Sequence, residues 1–209
     1  IAHGLMSTML PDESPKSTDT SSLSGGTGDQ ALEVDAARNS LTGGSYTSAG
    51  TSAITLEMQG ITDATSDSTE YFDVVHTTWG AGSFCDVVGS HLVSPAERYT
   101  FYGDASSAAF SPLTLSTAVT VNITLYTGLQ DGNMVQCRWW DTSSDAWSAD
   151  NIVTQSLAGT TVTCSLPYMS SNQILGLVSS AWTECTAHEY EDTAPTATSD
   201  RVCRSLTVC

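Results

Sequence analysis

Between Ala118 and Tyr126 the chain alternates strictly, with Val119, Val121, Ile123 and Leu125 separated by Thr120, Asn122 and Thr124. A period of two puts the aliphatics on one face of an extended strand and the polar residues on the other. The same signature recurs in short runs: Ile54 to Met58, Tyr71 to Thr77, Arg98 to Tyr102, Leu113 to Leu125, Met134 to Trp140, Thr161 to Leu166 and Gln173 to Val178. Turn formers such as Asp131-Gly132-Asn133 and Ala158-Gly159 separate them. Short β runs broken by turns predict a mainly β chain, an antiparallel β-sandwich over residues 47–179, large enough for one core.

The two ends read differently. Residues 1–46 are rich in Ser, Thr, Gly and Asp, with Ser21-Ser22-Leu23-Ser24-Gly25-Gly26 at their centre, and predict a linker or an extended arm that wraps a surface. Ala31 to Asn39 is the one stretch read as a short helix, although Leu32, Val34 and Ala36 are poorly spaced for an apolar helical face. Residues 180–209 bring three of the six cysteines into a segment too poor in apolar residues to fold without bridges.

Charge and cysteine usage narrow the setting. Twenty-three acidic residues against 6 basic ones give a formal charge of -17, with Lys16 the single lysine. Such a surface repels nucleic acid and anionic membrane, both of which demand clustered Lys or Arg. No stretch reaches the roughly 18 apolar residues that a spanning helix needs, so membrane attachment is expected only through a segment outside this one. Six cysteines, at 85, 137, 164, 185, 203 and 209, favour disulfides in an oxidising compartment. Ser and Thr make up 60 of the 209 residues, as in secreted or cell-surface chains, and Ile1 opens without an initiator Met or signal peptide, as a piece of a secreted precursor would. The sequon Asn122-Ile123-Thr124 puts Asn122 on the polar face of its strand, where a glycan can stand.

From Met134 to Val178 three tryptophans, two cysteines and a final apolar run follow one another: Cys137-Arg138-Trp139-Trp140-Asp141, Trp147-Ser148-Ala149-Asp150-Asn151, Cys164, and Ile174-Leu175-Gly176-Leu177. This order resembles the proteolysis-site motif of the GAIN domain, found outside the membrane in adhesion receptors and polycystins. There a C-x-(F/W)-W-(D/N) opening, a W-S-x-x-G-C turn and a C-x-C-x-H-L-(T/S) cleavage point occur in that order. The resemblance implies a GAIN-B-like sandwich. It also implies a Cys137–Cys164 bridge, because the family joins its first cysteine to its third. The second and fourth positions are Ile152 and Leu166, so both partners of the other bridge are replaced together by branched aliphatics. On a strand, adjacent Trp139 and Trp140 point to opposite faces, one to the core and one partly exposed.

At the cleavage point the family uses a His to take the proton from a Thr or Ser hydroxyl, which attacks the preceding Leu carbonyl. The corresponding residues are Tyr168, Met169 and Ser170. Ser170 keeps a hydroxyl nucleophile and Met169 fills a Leu-sized pocket, but a phenol with a pKa near 10 is a poor base at neutral pH. The degenerate site is therefore expected not to cut. His91-Leu92-Val93-Ser94 contains a His-Leu pair with Val93 at the nucleophile position and reads as an ordinary loop or strand.

From Cys185 the run Cys185-Thr186-Ala187-His188-Glu189-Tyr190-Glu191 leads through Thr193 to Arg201 into Cys203, and then to Cys209. This resembles the first unit of tandem cysteine-rich repeats, TNF-receptor-like or EGF-like in size, in large surface proteins of algae and other protists. The resemblance implies a Cys185–Cys203 bridge, with Cys209 opening a further unit of a longer chain. Cys85 is left to pair with Cys209, to bond another chain or to stay a buried thiol.

No G-x-S-x-G elbow, H-E-x-x-H zinc site or phosphate-binding glycine loop is present, and His3, His76, His91 and His188 are scattered. Asp141, Asp145 and Asp150 could gather oxygens around Ca²⁺ but read first as a solvated turn, and no cofactor is expected. The sequence thus predicts a non-catalytic extracellular structural or adhesion module of a glycosylated surface or fibre protein, such as a flagellar-hair component. Its partners would be other extracellular subunits or copies of itself, and glycans. The alternative is an ectodomain piece of a polycystin-like or adhesion-type receptor, with or without self-cleavage at Met169-Ser170.

Overall fold

The computed structural model describes residues 20–25, 32–40, 45–47, 53–57, 71–80, 91–102, 112–171 and 173–206. Among them every regular element is a strand: β1 (Thr20–Gly25), β2 (Leu32–Ser40), β3 (Ser45–Thr47), β4 (Ala53–Glu57), β5 (Tyr71–Trp79), β6 (His91–Leu92), β7 (Ala96–Tyr102), β8 (Val119–Thr124), β9 (Asn133–Asp141), β10 (Ala146–Ser148), β11 (Val153–Ala158), β12 (Thr161–Leu166), β13 (Leu175–Ala181), β14 (Glu189–Thr193) and β15 (Val202–Ser205). They form an eight-stranded sheet in the order β1-β2-β5-β7-β13-β9-β10, with β6 beside β13, and a five-stranded sheet in the order β11-β12-β8-β4-β3. A separate hairpin pairs β14 with β15. All of these pairings are antiparallel.

The alternation that opens the sequence does what its period dictates. Val119, Val121 and Ile123 of β8 are fully buried, whereas Thr120, Asn122 and Thr124 are half-buried on the opposite face. Ile54, Val162 and Leu166 from the same sheet join them in one apolar cluster with Phe72, Val74, Phe101, Val135, Leu175 and Leu177 from the larger sheet. Two sheets therefore share one core, and each such side chain fully removed from water contributes about 1.5–3 kcal/mol. Cys137 of β9 is bonded to Cys164 of β12, so a covalent link joins the sheets inside that cluster.

β13 lies inside the larger sheet, between β9 on one side and β6 and β7 on the other. Its residues Leu175 to Ser179 are all buried, which explains why this stretch reads as a continuous apolar run rather than an alternation. β6 and β7 would be one strand but for Ser94-Pro95, because proline cannot donate to a ladder. The Ser94 hydroxyl repairs the break: it accepts the Leu177 N–H at 2.9 Å and donates to the Pro95 carbonyl at 2.8 Å. The edge of β9 is closed in three ways. β10 pairs with Trp139 to Asp141, the Thr154 hydroxyl accepts from Cys137 N–H at 2.8 Å, and the Ala197 carbonyl accepts from Val135 N–H at 2.8 Å.

Within residues 1–46 the described segments are strands. β1 and β2 are paired strands of the larger sheet, β2 lying along β5 from Leu32↔Trp79 to Ser40↔Tyr71, and β3 pairs with β4. The expected helix at Ala31 to Asn39 is this strand. Its apolar residues at 32, 34 and 36 recur at every second position, the period of a strand, and pairing to β5 overrides a short polar composition. The expected long strand from Leu113 to Leu125 is also divided. Leu113 N–H bonds Phe101 O, Leu115 bridges Met169, and regular pairing starts at Val119, so residues 112–118 cross from one sheet to the other. Residues 1–19 of the expected arm, His3, Cys85 and Cys209 lie outside the described residues.

Candidate functional site

The tryptophan segment is built on the β9-β10 hairpin. Thr142 to Asp145 form its turn, with Asp145 in the left-handed region at φ 52. Asp141 ties that turn down: its Oδ1 accepts from Ser143 N–H at 2.9 Å and from the Ser143 hydroxyl at 2.7 Å, and its Oδ2 accepts from the Ser144 hydroxyl at 2.8 Å. These bonds, the Ser143 hydroxyl first, hold the Asp141 carboxyl below the usual range. The carboxylate thus has local hydroxyl partners, and among the described residues no group of three or more His, Cys, Asp or Glu side chains is arranged to hold a metal ion.

Trp139 and Trp140 take opposite faces. Trp139 packs against the core, and its indole N–H donates to the Asp150 carbonyl at 2.8 Å. Trp140 lies on the outer face yet is buried, because Trp147 of β10 meets it edge-on with ring centroids 5.4 Å apart at 74°. Trp147 also reaches Gly176 of β13. Asn151, where the motif places a glycine, has φ 58, a conformation that glycine and asparagine adopt most readily. Ile152 and Leu166, at the two positions without cysteine, are both buried in the core cluster.

The cleavage-point residues follow β12. Met169 is buried, and its backbone exchanges two hydrogen bonds with Leu115: Met169 N–H to Leu115 O at 2.9 Å, and Leu115 N–H to Met169 O at 2.8 Å. The carbonyl that the family's chemistry would attack therefore already accepts one backbone donor. Ser170 opens a turn in which its N–H donates to Gln173 Oε1 at 2.9 Å and its carbonyl accepts from Gln173 N–H at 3.2 Å. Tyr168 is 40% exposed. Tyr168 and Ser170 flank the buried Met169 on either side in the chain. His76 is engaged elsewhere, with Nε2 3.3 Å from Glu97 Oε2 and its ring stacked on Tyr99 at 4.3 Å; Tyr99 donates to the same Glu97 oxygen at 3.0 Å. His188 is exposed beside β14.

Asn122 sits on the outer face of an inner strand of the five-stranded sheet, between Ala53 and Thr163. The Thr163 hydroxyl donates to its Oδ1 at 3.0 Å, so this bond does not use Nδ2, the atom to which a glycan would attach.

Cys185 is bonded to Cys203, and the loop they close docks on the edge of β9. Trp182 N–H donates to Gly132 O at 3.1 Å and its indole N–H to Thr196 O at 3.1 Å, next to the Ala197 carbonyl that caps Val135. Asp200 accepts from Thr183 N–H at 2.8 Å and from the Thr183 hydroxyl, and these bonds hold its carboxyl low. In the hairpin, Arg201 pairs with Glu191 and Arg204 with Asp192, both at 2.9 Å.

Four residues that shape this region escaped the sequence reading: Ser94, Leu115, Gln173 and Gly176. Gly176 alone left a signal, since a glycine inside an apolar strand marks a close approach. The others act through partners far away in sequence. No protein-family model matches the chain, and no curated protein matches it. No helix among the described residues is long and apolar enough to cross a membrane, and two disulfides fit an extracellular or secreted setting.

Proposed function

We propose that the chain is a non-cleaving, GAIN-like β-sandwich with a cysteine-rich module docked on its edge, acting as a rigid spacer in an extracellular structural or adhesion protein. The observation that carries this reading is the place of β13. The segment that follows the degenerate cleavage point is an inner strand, held by β9 on one side and by β6 and β7 on the other. A strand in that position welds the sandwich together whether or not the chain is cut before it. Two further features support the reading: a bridge at the family's first and third cysteine positions, and a left-handed Asn151 where the motif has glycine.

The missing base makes the site inert. Ser170 retains a hydroxyl, but its activation needs a group titrating near neutrality, and Tyr168 supplies a phenol. Rigidity follows from the closed β9 edge, where Thr154 and Ala197 use donors that would otherwise recruit another strand. The docked module then holds a fixed direction relative to the sandwich, as a spacer requires.

The deciding experiment is the mass of the chain under denaturing, reducing conditions after removal of glycans. One chain that passes through Met169-Ser170 is expected. Two fragments meeting at that bond would overturn the non-cleaving reading and favour a self-processing receptor ectodomain.

A further inference from the structure

Three tyrosines stand at comparable exposure among the described residues: Tyr126 at 51%, Tyr168 at 40% and Tyr190 at 46%. Their neighbours differ sharply. Tyr126 is flanked by Leu125 and Thr127, and Tyr168 by Pro167 and Met169, whereas Tyr190 lies between Glu189 and Glu191, with Asp192 next. We propose that Tyr190 is a tyrosine O-sulfation site, modified in the secretory compartment by a sulfotransferase that reads its acidic flanks.

A transferase that brings a polyanionic donor to a phenol needs a cationic groove, and such a groove selects tyrosines surrounded by carboxylates. Tyr190 offers one carboxylate before it and two after it on β14 of a two-stranded ribbon. Glu189 is held low by the backbone N–H and hydroxyl of Thr186, and Glu191 and Asp192 pair with Arg201 and Arg204. In the transfer the phenolic proton passes to a base of the sulfotransferase and the oxygen bonds the sulfur of a phosphosulfate anhydride nucleotide. The sulfur–oxygen bond to the nucleotide breaks, and the nucleotide departs as its bisphosphate. No oxidation state changes.

Arg204 is the direct cross-strand partner of Tyr190, and its side chain is 65% exposed. Asp192 engages its Nε, and the guanidinium fork carries further donors suited to a sulfate's oxygens. The proposal requires only the exported, oxidising setting that the disulfides fit and is independent of the GAIN-like reading.

The test is to secrete the full chain from a eukaryotic host that sulfates tyrosines, with an acidic tyrosine tag appended as an internal positive control. Peptide masses with electron-driven fragmentation then locate any added group. The expected result is one SO3 on Tyr190 and none on Tyr168 or Tyr126. Tyr190→Phe should abolish it, and combined Glu189→Gln, Glu191→Gln and Asp192→Asn should lower its occupancy severalfold without loss of secretion. An unmodified Tyr190 in a chain whose tag is sulfated would overturn the proposal, as would phosphate in place of sulfate or equal labelling of Tyr168.

Discussion

The indole of Trp147 lies over Gly176: a β-carbon built on that glycine would stand 2.9 Å from Trp147 Cη2 and 2.7 Å from Leu92 Cδ1. Trp147 belongs to the edge strand β10, yet it reaches across β9 to the inner strand β13. The glycine's missing side chain makes the space, and the indole in turn buries Trp140. Gly176→Ala is therefore expected to destabilise the fold by about 1–3 kcal/mol, the usual cost of an added carbon in a filled site. Denaturant midpoints followed by tryptophan fluorescence measure this. In a double-mutant cycle a Trp147→Ala background should recover only the part of the loss that Trp147 causes, because the Leu92 contact at 2.7 Å remains.

Ser94 makes a second prediction of the same kind. Its buried hydroxyl is the acceptor for the Leu177 N–H at the point where Pro95 breaks the ladder. Ser94→Ala leaves that amide buried without its partner and should cost about 1–3 kcal/mol. Hydrogen exchange should show the Leu177 amide losing more protection than the neighbouring Val178 amide.

These two sites mark the limit of what the sequence conveys. The alternation of Val119 to Leu125 announces its strand because one face is apolar and the other polar, and the Thr161 to Leu166 and Met134 to Trp140 strands are legible for the same reason. Leu32 to Ser40 reads as arm or helix because its place comes from pairing with β5, and a composition of Glu, Asp, Arg and Asn hides that. At the candidate site the Cys137–Cys164 bridge was legible through the resemblance carried by the order of its residues. Leu115 was not, because its part is a backbone donor to Met169 that any residue would supply.

The two disulfides should respond differently to reductant. Cys137 and Cys164 are buried in the core, whereas Cys185 and Cys203 are partly exposed. Mild reduction is expected to open Cys185–Cys203 first. That bridge closes the loop carrying the Ala197 and Thr196 carbonyls, so Val135 N–H and the Trp182 indole N–H should lose exchange protection while β8 and β12 keep theirs. Removing Cys137–Cys164 by double alanine substitution should lower global stability by about 3 to 4 kcal/mol on the chain-entropy model.

Acid should also loosen the docked module. The Asp200 carboxyl is held low by the Thr183 hydroxyl and amide, and that of Glu189 by the Thr186 amide and hydroxyl. A depressed carboxylate contributes its full stabilisation above its unfolded pKa, about 3.9 for Asp and 4.3 for Glu, and loses it as pH falls through the lower folded value. The module should be indifferent to pH from 7 to about 5 and should release below about pH 4. Protection of the Trp182 indole N–H against pH measures the release. Asp200→Asn should be weaker at neutral pH and flatter through the acid range.

The proposed cleavage point is expected to stay silent for want of a base. Its parts are a Ser170 hydroxyl, a Met169 carbonyl that accepts the Leu115 N–H at 2.8 Å, and an exposed Tyr168 phenol two residues before Ser170. A backbone donor on the attacked carbonyl favours the negative charge that develops there, so the electrophile is in place and only the base is wrong. Tyr168→His puts an imidazole, ordinarily titrating near 6.5, two residues from the nucleophile. The variant is expected to divide slowly into two fragments that meet at Met169-Ser170, with a rate that rises through the imidazole pKa, while the parent chain stays whole. Ser170→Ala in the same background should abolish the cut. If Tyr168→His stays intact at every pH, the geometry at Met169, and not the lost base alone, keeps the site silent.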